Sequence, residues 1–133
     1  MKKIITLLTA LFLVSNVYGQ TPKEYFNRAV AKLNLLDYRG AIVDFTKAIE
    51  LNPNYAEVYF HRGMCKAILE DYRGAIVDFT KAIELNPNYA EAYFHRGVSK
   101  LLLEQKDSGC LDLSKAGELG FAKAYESIQM LCN

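Results

Sequence analysis

Histidine occurs only twice in this 133-residue chain, cysteine three times and tryptophan not at all. Two imidazoles, His61 and His95, fall short of the roughly four ligands a structural zinc site takes, so no metal is expected. His61 and Cys65 stand four apart on one predicted helix. No acidic group is placed to orient that imidazole, and a catalytic dyad is not expected either. Glycine-rich phosphate loops and nucleophile elbows are missing. Both belong to strand-to-helix turns, and the strict alternation of apolar and polar residues that marks a strand is absent. No cofactor and no catalytic residue is therefore assigned. Charge of one sign is lacking too: 16 Lys and Arg face 15 Asp and Glu, with the signs interspersed. That balance excludes the basic footprint of a nucleic-acid partner and any charged binding tail.

A run of about 20 apolar residues, the length that crosses a membrane, does not occur. The one candidate, Ile4 to Val14, is interrupted by Thr6 and Thr9 and follows Lys2 and Lys3. A charged start, a short apolar stretch and the small-residue site Val17-Tyr18-Gly19 read as a secretory signal peptide over residues 1–19, cleaved after Gly19. No cysteine lies near that site, which argues against a lipid anchor. Removal of Lys2 and Lys3 takes the basic residues from 16 to 14 against 15 acidic ones. Residues 20–133 are of single-domain length with no span in the mature chain, and the expected location is the periplasm or the extracellular space.

What the chain has in abundance is repetition. The block YRGAIVDFTKAIELNPNYAE runs from Tyr38 to Glu57 and returns letter for letter from Tyr72 to Glu91, 34 residues later. A Tyr-Phe-x-Arg set recurs at Tyr25, Tyr59 and Tyr93 with the same offset, which defines units 22–55, 56–89 and 90–123. Such a period signals stacked units that bury their faces on one another. Each unit holds two helical patterns. In the middle one they are Tyr59, Arg62, Gly63, Lys66 and Ala67, then Ala75, Ile76, Phe79, Ala82, Ile83 and Leu85. Thr21, Pro22 and Glu24 form a capping box ahead of the first helix. Asp37 and Asp71 are candidate caps of the second helices, Asn54 with Glu57 and Asn88 with Glu91 are read as further boxes, and Pro53 and Pro87 stop the helices before them. A last amphipathic stretch, 122–132, places Ala124, Ile128 and Leu131 to cover the final pair as a capping helix. Seven helices and an all-α fold follow.

From Pro22 to Lys123 the chain resembles the tetratricopeptide repeat (TPR) family. Tyr59, Gly63, Ala75, Phe79, Ala82 and Pro87 fill the family pattern in the middle unit, as Tyr25, Ala29, Ala41, Phe45, Ala48 and Pro53 do in the first. Arg62 stands where Leu is usual and Lys66 where Tyr is usual. The third unit keeps Tyr93, Gly97 and Ala116 but has Gly109, Leu113 and Phe121 elsewhere in the pattern, as a terminal unit facing water would. Lys115 to Ala124 is similar to the junction of Sel1-type repeats. The resemblance implies a short right-handed α-solenoid of three helix-turn-helix units plus the capping helix. It also implies a concave groove lined by Phe26, Asn27, Val30, Phe60, His61, Met64, Phe94, His95 and Val98. The alternative for these side chains is plain packing between helices. Some relatives clamp a C-terminal carboxylate with Lys and Asn at two positions held here by Phe26 and Val30, so that clamp is not expected.

Arg28, Arg62 and Arg96 each precede an acid by 16 residues: Asp44, Asp78 and Asp112. A partly buried bidentate pair across each helix pair is one reading, two solvated charges the other. Cys110 and Cys132 stand about equally far from the turn at Gly120, so antiparallel helices bring them to one height. A disulfide is one outcome there, and two small apolar fillers the other. Cys65 aligns with Ala31 and Ser99, a position for small buried side chains. The expected function is an exported interaction module or scaffold that holds a peptide or partner protein in its groove. The alternative is a self-associating structural component of an envelope assembly.

Overall fold

The computed structural model describes residues 20–133, and the signal-peptide reading lies outside the described residues. Seven α-helices follow one another: α1 (Pro22–Asn34), α2 (Tyr38–Leu51), α3 (Ala56–Ile68), α4 (Tyr72–Leu85), α5 (Ala90–Leu102), α6 (Lys106–Glu118) and α7 (Lys123–Leu131). Each helix packs on the next, giving three antiparallel pairs and a closing helix. First helices of neighbouring units also touch, as α3 and α5 do, so α1, α3 and α5 share one side of the stack.

Helix starts follow local chemistry. The Thr21 hydroxyl accepts from the Glu24 N–H at 3.2 Å, with Pro22 in the first turn. Asp37 and Asp71 accept from the N–H groups of Gly40 and Gly74. A Cβ at either glycine would press on the capping carboxylate and oblige it to shift. The boxes expected at Asn54 and Asn88 are not formed. There the helices begin after Tyr55 and Tyr89 with no side-chain cap. Asn54 and Asn88 instead donate their backbone N–H groups to the side chains of Asn52 and Asn86, closing Asx turns around Pro53 and Pro87.

Turns within the units, and the turn before α7, share one device. Asp37 N–H bonds to Lys32 C=O and Leu36 N–H to Leu33 C=O, and the same pair of bonds recurs at Glu70–Asp71, Glu104–Gln105 and Gly120–Phe121. These are Schellman motifs, with Leu36, Glu70, Glu104 and Gly120 at positive φ.

The core runs through the stack in overlapping clusters. Phe45, Ala41 and Ala48 of the first unit bury Val58 and Cys65 of α3; Phe79, Ala75 and Ala82 bury Ala92 of α5; Leu113 and Ala116 bury Ala124 of α7. No unit closes its own core, so neighbouring units are mutually required. The helices of the third pair cross most closely, where Gly97 and Gly109 meet backbone to backbone. A Cβ on either would lie under 3.0 Å from the other's carbonyl oxygen, which explains glycine at 109. The closing helix buries Ala124 and Ser127 but leaves Leu131 47% exposed, so Leu131 does not cover the last pair as expected.

Candidate functional site

Residues spaced i, i+4, i+7, i+11 share one face of a helix. On the side shared by the first helices these strips are Lys23, Asn27, Val30 and Asn34 on α1, Glu57, His61, Met64 and Ile68 on α3, and Glu91, His95, Val98 and Leu102 on α5. Beneath them runs a continuous aromatic ladder. His61 sits 5.4 Å from both Phe26 and Phe60, and His95 sits 5.8 Å from Phe60 and 5.2 Å from Phe94. Each Phe is backed by an aromatic from the turn or loop before the next helix: Tyr55 on Phe26, Tyr89 on Phe60 and Phe121 on Phe94. Phe121, which departs from the family pattern, thus does the work of the tyrosines.

Phe60 and Phe94 are only 8% and 6% exposed. These two rings pack between helices, the second of the two readings given for them: contact with Phe79 and His95, or with Phe121, takes them into the floor. Phe26, His61, Met64, His95 and Val98 and the residue at Val30 are half-buried, and Asn27 is exposed, so these form the accessible surface. Burial holds both imidazoles below the ordinary histidine range. Glu57, 3.8 Å from the His61 Nε2, and more distant Glu91 partly oppose this at His61, whereas Lys123 reinforces it at His95.

The Arg–Asp pairs stand beside this surface. Arg62 donates from Nε and Nη2 to Asp78 at 2.9 and 2.7 Å, a bidentate fork repeated by Arg28 on Asp44 and by Arg96 on Asp112. Each aspartate also receives a lysine one turn on: Lys32 at 2.8 Å, Lys66 at 2.9 Å and Lys100 at 2.8 Å. The remaining Arg62 and Arg96 nitrogens donate to Thr46 and Thr80 of the preceding unit, which ties unit to unit. Arg28, first in the stack, donates to Gln20 instead. Sequence reasoning found the arginines and missed the lysines, although Arg-x-x-x-Lys recurs at 28, 62 and 96. That spacing puts both cations on one face, and Lys66 stands where the family has Tyr because Asp78 takes a second donor. The Arg28 fork holds the Asp44 carboxyl below the usual carboxylate range, against desolvation.

Cys110 and Cys132 are joined by a disulfide that ties the start of α6 to the end of α7. Cys65 is free and fully buried, and burial pushes its thiol up to about 11, the opposite of an activated nucleophile. Among the described residues no three His, Cys, Asp or Glu side chains gather as a metal set, and no helix is long and apolar enough to cross a membrane.

Three helix pairs, each second helix wedged between first helices and the first helices forming an aromatic-floored inner side, define a helical-repeat scaffold of a kind that is typically non-catalytic. Residues 22–55 and 56–89 each match the tetratricopeptide repeat family, just over half of the chain, and the protein belongs to that family. No curated protein matches the sequence. Among solved structures, that of MamA superposes with a TM-score of 0.83 at 22% identity, over 89% of this chain and 70% of its own. YrrB, described as a TPR protein with an unusual peptide-binding site, gives 0.79 at 22% identity, over 86% of this chain and 60% of its own. The second TPR domain of Spaghetti (RPAP3), bound to the HSP90 peptide SRMEEVD, gives 0.73 at 24% identity, over 75% and 93%. At these identities the likeness establishes the fold.

Proposed function

We propose that the chain is an exported binding module that holds an extended segment of a partner protein against the inner faces of α1, α3 and α5. The observation that carries this is the aromatic ladder: a preformed apolar floor across all three units, overlain by half-buried Met64 and Val98. Folding has already fixed these side chains, so a guest loses mainly its own freedom on binding. Peptide binding by Spaghetti and YrrB supports the reading by analogy of fold. Phe26 and Val30 stand where a carboxylate clamp would need Lys and Asn, which argues against an acidic C-terminus as the guest. Export is supported by the composition of residues 1–19 and by the Cys110–Cys132 bond, which persists in an oxidising compartment.

Peptides selected on the immobilised chain test the reading. Met64→Glu with Val98→Glu should weaken their binding at least about tenfold, because two charges then lie on the apolar floor. Val77→Glu, on an exposed position of α4, should leave it unchanged. Equal loss in both variants removes the groove assignment. Expression of the full chain with N-terminal sequencing tests export, with Gln20 as the expected first residue of the processed protein.

A second reading, self-association in an envelope assembly, draws on α7, where Tyr125 and Met130 are 57% and 74% exposed. The other end of the stack is less suited to it. There Glu24 occupies the register that Val58 and Ala92 bury on α3 and α5. A monomer by light scattering at high concentration excludes this reading.

A further inference from the structure

The two long rims of the inner face differ in chemistry. Where α3 and α5 begin, the rim carries Glu57 and Glu91, both exposed; where they end, it carries Ile68 and Leu102, 50% and 55% exposed. Burial raises the Tyr89 phenol, and the charges of Glu57 and Glu91 raise it further. Glu57 and Glu91 hold one register on touching first helices, and Glu57 stands 3.8 Å from the His61 Nε2 of the aromatic floor, so two anions stand side by side along the middle of this rim. Among the described residues neither has a lysine or arginine partner, and each is held only by the first turn of its own helix. Within 4.0 Å Glu57 meets only the His61 imidazole, which burial keeps toward its neutral form, and Glu91 has no ion-pair partner among the described residues. Lys23 holds the same register on α1 and Lys123 acts on His95 from α7, so cations bracket the acidic stretch and confine it to the middle of the groove.

We infer that the groove selects a peptide segment with a Lys or Arg side chain at its centre, placed between Glu57 and Glu91, and aliphatic side chains turned toward Ile68 and Leu102. This rests on the peptide-binding reading above and gives it a partner chemistry. Charge complementarity is the argument: a central cation meets two carboxylates with no lysine or arginine partner among the described residues, beside aromatic rings, while an acidic segment meets repulsion at the same place. The identical units dictate the rest. Glu57 and Glu91 close the two copies of the same 20-residue block, so one register on successive first helices carries the same anion twice.

A random heptapeptide display library selected on the purified chain tests the inference. Recovered peptides should carry Lys or Arg about fivefold above the library frequency, beside Leu, Ile or Val, as expected for one surface-exposed charge interaction. Glu57→Gln with Glu91→Gln should return that frequency to the library level, and Glu57→Lys with Glu91→Lys should enrich Asp and Glu instead. Recovered peptides with no cation preference, or with an acidic one on the parent chain, overturn the inference and leave the groove standing. Recovery of no peptide, or of peptides whose binding survives Met64→Glu with Val98→Glu, overturns the groove as well.

Discussion

Asp78 is 1% exposed and accepts from both Arg62 and Lys66. Asp78→Asn leaves the two cations facing an uncharged amide in a partly buried site, and should lower the urea-unfolding free energy by about 3–5 kcal/mol. Asp44→Asn should cost less, since Arg28 is 47% exposed where Arg62 is 17%, and water replaces more of what is lost. A charge swap, Arg62→Asp with Asp78→Arg, should not rescue the single variants, because Lys66 would then meet an arginine where it met a carboxylate. Titration of the histidines is felt elsewhere in pH. Their pKa values are lower in the folded chain than the usual 6.5, chiefly through burial among Phe26, Phe45 and Phe60 for His61 and among Phe60, Phe79 and Phe94 for His95. The unfolded chain therefore takes up protons first: stability is complete above 6.5 and falls as pH drops through that value toward the folded pKa values. Glu57 and Glu91 moderate the loss at His61, and Lys123 deepens it at His95. Urea midpoints between about pH 7 and pH 5 should slope less in a His61→Asn, His95→Asn variant, and an unchanged slope would place the titration elsewhere.

The turns between paired helices show why some features escaped the sequence. Three of the four Schellman positions are Leu36, Glu70 and Glu104, and only the fourth is the glycine that announces such a turn. A side chain at positive φ is tolerated because two backbone bonds and the Asp37 or Asp71 cap beyond it fix the chain. Glu104→Gly should therefore stabilise the protein by about 0.5–1 kcal/mol, strain relief outweighing the added freedom of the unfolded chain. Caps at Thr21, Asp37 and Asp71 were legible because each has one local partner three residues on. The boxes read at Asn54 and Asn88 do not form, because Asn52 and Asn86 take the backbone N–H groups that Glu57 and Glu91 would have accepted from. For α7 the decisive constraint is covalent. Nine residues are too few to hold a helix alone, and its buried side chains are the small Ala124 and Ser127. Reduction of Cys110–Cys132, which closes a separation of 22 residues, should cost about 3 kcal/mol and raise hydrogen exchange in α7 before the rest of the stack.

The stacked architecture was readable because the 34-residue offset is literal, and the inner face less so because its floor is assembled from three units at a time. Phe60 is buried by Tyr89 and His95 from beyond its own helix, and no pattern within α3 discloses that. The same interlocking makes the fold open to a direct test. Excision of residues 56–89 joins Tyr55 to Ala90 and sets α5 on α2, whose sequence is that of α4. Every second-helix contact of α5 is then re-created by an identical residue: Arg96 finds Thr46 in place of Thr80, and His95 stacks on Phe45 in place of Phe79. Only the neighbouring first helix changes, with Phe26 and Val30 standing for Phe60 and Met64. The shortened chain should keep its helix content per residue and unfold cooperatively, with a urea m-value lower by about a third and a reduced midpoint, since one unit and one interface are gone. A far-ultraviolet spectrum of coil would show that the units depend on more than their nearest neighbours.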